Sequence, residues 1–88
     1  MNRKIAEAII NFANENNLDC MKDYSGRGMY GKECIGIICD YKDILKVLGD
    51  IIVHLKDEEL ISSSEDLGPI KVDDMGLQEI LYFEIIGL

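Results

Sequence analysis

The sequence predicts an α+β domain in the order α-β-β-α-β-β: a four-stranded antiparallel sheet with two helices on one face. Three observations carry that expectation. Two stretches repeat apolar residues at helical spacing, and four others alternate at the two-residue period of a strand, in two adjacent pairs. The chain has 88 residues. That length supports one small core, so residues 1–88 are read as a single domain with both helices on the same sheet face.

The first helix is expected over 2–16. Ile5, Ala8, Ile9, Phe12 and Ala13 make one apolar stripe. Asn2 is the N-cap candidate, and one of Asn14, Asn16 and Asn17 is expected to supply a left-handed cap at the end. A strand follows over 18–24, with Leu18, Cys20 and Tyr24 on one side and Asp19 and Asp23 on the other. A second strand is expected over 33–39. Its two faces, Ile35-Ile37-Cys39 and Cys34-Gly36-Ile38, are both apolar or small. Such a strand is central, or covered on both sides.

Asp40 is the N-cap expected for a second helix over about 41–56, with Asp43 supporting it through the helix dipole. Ile44, Leu45, Leu48, Ile51, Ile52 and Leu55 form its apolar face. Gly49 lies inside this helix, where a glycine often permits close packing on a neighbour. One further helical turn is expected within 57–66, then a polar loop at Ser62–Ser64. Gly68-Pro69 punctuates the chain before a short strand at Ile70–Val72, a turn at Asp73–Gly76 and a long final strand at Leu77–Ile86. Leu81, Phe83 and Ile85 share one face of that strand; Ile80, Tyr82 and Ile86 share the other with Glu84. A strand apolar on both faces needs cover on both, and a second copy of the chain is the cover expected.

The segment between the first two strands carries the chemistry. Tyr24-Ser25-Gly26-Arg27-Gly28-Met29-Tyr30-Gly31-Lys32 is too polar and glycine-rich for a core segment. Its glycines let backbone N–H groups approach a ligand. Arg27 offers a planar fork of donors for phosphate or carboxylate, and Lys32 a second positive charge. Tyr24 and Tyr30 offer flat faces with polar tips. Together they suit an anion that carries an aromatic ring, such as a nucleotide. The plainer reading is a glycine-rich hairpin turn, but no turn type requires an arginine beside two tyrosines. Gly26-x-Gly28-x-x-Gly31 has dinucleotide-loop spacing, yet a strand follows it where that fold needs a helix. Nor is it a P-loop, although a phosphate-accepting nest remains open to it.

Composition narrows the other classes. The formal net charge is −8. Residues 1–56 balance eight acids with eight bases, while residues 57–88 hold nine acids and only Lys71. This field disfavours direct nucleic-acid binding. The acids Asp57, Glu58, Glu59, Glu65, Asp66, Asp73 and Asp74 read as a solvated face, or as a mimic of nucleic-acid phosphates for a basic partner protein. The three cysteines, Cys20, Cys34 and Cys39, form no Cys-x-x-Cys and read as small core residues. No metal site and no cofactor are expected. His54, the one histidine, sits in an apolar helical pattern without a nucleophile motif, so no enzyme is expected. No apolar run reaches the length of a membrane span. The start of the chain has too short an apolar run for a signal peptide, so a cytoplasmic protein is expected.

The run Tyr24–Lys32, followed by the apolar Gly36-Ile37 strand, resembles a motif in small uncharacterised proteins of phages and prophages of Gram-positive bacteria. The resemblance covers the loop and the start of the strand. Length, acidity and the two-helix layout are similar, at the level of class, to phage anti-defence proteins. The resemblance implies a bacterial host cell and two candidate roles. One is a homo-oligomeric sponge for a nucleotide-type immune signal, ADP-ribose-like or cyclic. There Arg27, Lys32 and the Gly26–Gly28 backbone would hold phosphates, and Tyr24 or Tyr30 would stack on a base. The other is an acidic inhibitor of a CRISPR or other nucleic-acid-handling effector.

Overall fold

The computed structural model describes residues 1–28 and 30–86. Its elements are α1 (Arg3–Glu15), β1 (Asp19–Asp23), β2 (Cys34–Asp40), α2 (Ile44–Asp57), β3 (Ile70–Asp74) and β4 (Gln78–Glu84). The strands form one antiparallel sheet in the order β1-β2-β4-β3. This is the α-β-β-α-β-β arrangement that the sequence predicts. Among the described residues no helix is long and apolar enough to cross a membrane.

Local chemistry explains the boundaries. The side chain of Asn2 accepts from Ile5 N at 3.0 Å and starts α1. Asn17, at φ 57°, turns the chain out of the helix, and Leu18 N donates to Ala13 O at 2.8 Å. The start of α2 differs from the expectation. Asp40 remains in the β2–β4 ladder, opposite Gln78, so its carboxylate makes no cap bond. A 3₁₀ turn at Tyr41–Asp43 intervenes before the helix. The helix stops at Asp57, because Glu59 takes φ 58° and Leu60 N bonds back to Leu55 O at 2.9 Å. The further turn expected within 57–66 comes late, as a 3₁₀ turn at Ser64–Leu67 fixed by a capping box of Ser63 and Asp66.

The main core lies between the helices and one sheet face. Ile5, Ile9, Ile51 and Leu55 from the helices meet Ile35, Ile37, Leu81 and Phe83 from β2 and β4. The buried Leu67 is held in the same core by the Ser64–Leu67 turn. Gly49 does not pack closely on a neighbour: it is exposed, and a Cβ added there would meet nothing within 4 Å.

The opposite sheet face carries a small cluster of its own. Cys34, Ile80 and Tyr82 there are buried, and the residues packed on them are Met21, Tyr30 and Ile38 of the same chain. Tyr30, from the loop after β1, shares this cover with Met21 of β1 and Ile38 of β2. Ile86, expected on this face, lies beyond β4 and is exposed.

Candidate functional site

Asp23 organises the loop. Its Oδ1 accepts from Ser25 N at 3.1 Å, from the Ser25 hydroxyl at 2.7 Å and from Gly26 N at 3.2 Å. Its Oδ2 accepts from Gly28 N at 2.8 Å. A ring of backbone N–H groups is the anion nest that a glycine-rich loop can build. Here the anion is internal. The bonds from Ser25 and then Gly28 hold the Asp23 carboxyl below its usual range. A Cβ added at Gly28 would lie 2.4 Å from Asp23 Oδ2, so glycine is what lets the backbone reach the carboxylate. Gly31, at φ 74°, closes the far side through Gly31 N donating to Gly28 O at 3.0 Å.

The two tyrosines diverge. Tyr24 turns to the helix side, where its hydroxyl donates to Glu7 at 2.7 Å. The Arg3 guanidinium lies 4.5 Å from its ring centroid and the Lys22 ammonium 5.2 Å. Arg3 also pairs with Glu33, and Lys22 with Glu7 at 3.3 Å. Burial, and then the bond to Glu7, push the Tyr24 hydroxyl up to about 12. Glu7 is held low, chiefly by that same bond. Tyr24 is thus used in joining α1 to β1.

Tyr30 turns to the other side and stacks on Tyr82, with ring centroids 4.9 Å apart and planes 18° from parallel. Its hydroxyl donates to Glu84 Oε2 at 3.5 Å. Lys71 Nζ stands 5.7 Å from the Tyr30 ring centroid, and Lys32 Nζ 3.6 Å from Glu84 Oε1. Burial, then the Glu84 charge, raise the Tyr30 hydroxyl, and burial raises that of Tyr82. Arg27 is exposed; its backbone N donates to the Ser25 hydroxyl oxygen at 3.2 Å. Met29 lies outside the described residues.

The structure therefore splits the expected site. Tyr30 and Lys32 meet on the second sheet face, where the sequence reading had not included Lys71, Tyr82 and Glu84. The missing signal is the register: β3 and β4 set Lys71 opposite Tyr82. Asp23 was also missed as the loop's anchor, although an aspartate two residues before Ser-Gly is an Asx-turn pattern.

The acidic set is mostly at the surface. Asp57, Glu58, Glu59, Glu65, Asp66 and Asp74 are exposed, and Asp73 is half-buried beside Lys71 at 3.5 Å. Asp66 is committed to the backbone, accepting from Ser62 N at 2.8 Å and Ser63 N at 3.2 Å. Among the described residues no group of three or more His, Cys, Asp or Glu side chains could hold a metal. His54 is half-buried against Phe12, with ring centroids 5.2 Å apart.

Comparison with protein families, with curated proteins and with solved structures found no match to this chain.

Proposed function

We propose that the chain captures a ring-bearing anion of the nucleotide class and withholds it, without chemistry on the ligand. The observation that carries this reading is Tyr30 laid on Tyr82, with Lys32 and Lys71 beside it. Arg27 is exposed in the same loop. An aromatic face stacks on a base, and cations at its border meet phosphate. Because Asp23 already takes the N–H groups of Ser25, Gly26 and Gly28, and the Ser25 hydroxyl that of Arg27, the phosphate contacts fall to the side chains of Arg27, Lys32 and Lys71, not to the Gly26–Gly28 backbone. The stacking residue is Tyr30, since Tyr24 is engaged on the other face. The resemblance to phage and prophage proteins lends it a role, the removal of a nucleotide immune signal in a bacterial cell.

The test is a thermal-shift screen against ADP-ribose, cyclic dinucleotides and mononucleotides, with Arg27→Ala and Lys71→Ala in parallel. A ligand at a hundred times its Kd adds about 2.7 kcal/mol. The reading expects one class of nucleotide to raise Tm, and both variants to reduce the rise. A flat response across the panel refutes it.

A second reading rests on the exposed acids that follow α2 and run into β3. An acidic inhibitor would set Asp57, Glu58, Glu59, Glu65 and Asp74 against the basic groove of a CRISPR or other nucleic-acid-handling effector. Retention of such an effector on the immobilised chain, lost as salt rises, would favour this reading over the first.

A further inference from the structure

Between the end of α1 and the first turns of α2 lies a cleft of about 300 Å³ that takes no part in the loop site. Phe12, Leu18, Cys39 and Val47 give it an apolar floor. Small-molecule sites begin near ~300 Å³, so the space matches one ring with a short tail.

The border of the cleft has a definite sign. Lys46 donates to Asp50 Oδ2 at 2.8 Å, an exposed pair one turn apart on α2, and the Asp43 charge acts on the same ammonium. Asn16 gives its amide N–H to Phe12 O at 2.8 Å, which leaves its side-chain oxygen as an acceptor. Asp43 makes no side-chain cap bond at the start of α2, and among the described residues it takes part in no ion pair. Burial, then the Asp43 charge, push the Cys39 thiol up, so the floor stays uncharged. What remains is an apolar slot bordered by the Asn16 acceptor and by two carboxylates, Asp43 and Asp50, against the one ammonium of Lys46, a net negative border. The overall charge of −8 adds to its attraction for cations.

We propose that this cleft binds a small organic cation, a primary amine on a short chain carried by an apolar ring. The ring lies on Phe12 and Val47, and the ammonium bonds Asp43 and the Asn16 side-chain oxygen. This site is independent of the nucleotide reading and differs from it in ligand charge.

The experiment is an amide NMR titration of the whole chain with 2-phenylethylamine, beside 3-phenylpropionate, which has a similar size and the opposite charge. The amine is expected to shift Leu18, Cys39 and Val47 to saturation, and the acid to leave them unmoved. Asp43→Asn, at an exposed position, is expected to keep the spectrum of the folded chain and weaken amine binding about tenfold. Equal binding of the acid, shifts scattered over the acidic surface without saturation, or unchanged affinity in Asp43→Asn would each overturn the proposal.

Discussion

Tyr30 stacks on Tyr82 across 4.9 Å, and through that contact the loop after β1 becomes a cover for the second face of the sheet. Cys34, Ile80 and Tyr82, none more than 8% exposed, owe their burial to it and to Met21 and Ile38. A protein this small rarely has two layers of cover to spare. Here the loop shares the second layer with Met21 and Ile38 and carries Arg27 and Lys32, while Lys71 comes from β3.

Tyr30→Ala therefore exposes a small core. We expect it to cost about 1–2 kcal/mol in denaturant unfolding, the scale of uncovering a partly buried aromatic. Cys34, whose thiol is raised chiefly by burial, should gain reactivity toward an alkylating reagent, while Cys39 on the helix side should not. Mapping the labelled cysteines by mass spectrometry separates this local opening from global unfolding.

The Asp23 clasp gives the loop an acid limit. Its folded pKa lies below the ordinary 3.8. The stabilisation is therefore present above that ordinary value and fades as pH falls through the lower folded one. The amides of Ser25, Gly26 and Gly28 should lose their dispersion together over that range in an NMR pH titration. In Asp23→Ala they should already be mobile at neutral pH, with β2 and β4 still paired.

Two glycines make opposite predictions. Gly49→Ala should stabilise by about 1 kcal/mol, since helix propensity favours alanine and the added methyl meets nothing. Gly28→Ala should loosen the loop, since its methyl would stand where the Asp23 carboxylate is. Thermal unfolding of the two variants side by side checks both signs.

Phe83 is fully buried between the helices and the sheet. Phe83→Ala should cost about 3–5 kcal/mol. In a domain of this size that approaches the whole stability, and circular dichroism would read it as loss of cooperative melting.

Periodicity made the fold legible. The stripe Ile5-Ile9-Phe12-Ala13 admits one orientation and packed accordingly, while the strand Cys34–Cys39 is apolar on both faces and only the fold shows that Ile35, Ile37 and Cys39 meet the helices. Asp40 misled because a good capping residue can also be the last rung of a ladder, and the pairing with Gln78 prevailed. The residue types at the loop were visible, but their directions were not. Tyr24 and Tyr30 differ by six positions across Gly26, at φ 73°, and no pattern fixes which face each takes. Lys71 and Tyr82 join Tyr30 only through strand register, which local sequence does not encode.

The most direct test of the central claim is an amide NMR titration of the chain with ADP-ribose at low salt. The account predicts saturable shifts at Arg27, Tyr30, Lys32, Lys71 and Tyr82, lost in Arg27→Ala, with Tyr24 and Glu7 unmoved. Saturable shifts centred on Tyr24 and α1, or none anywhere from ADP-ribose and the other nucleotides of the panel, would contradict it.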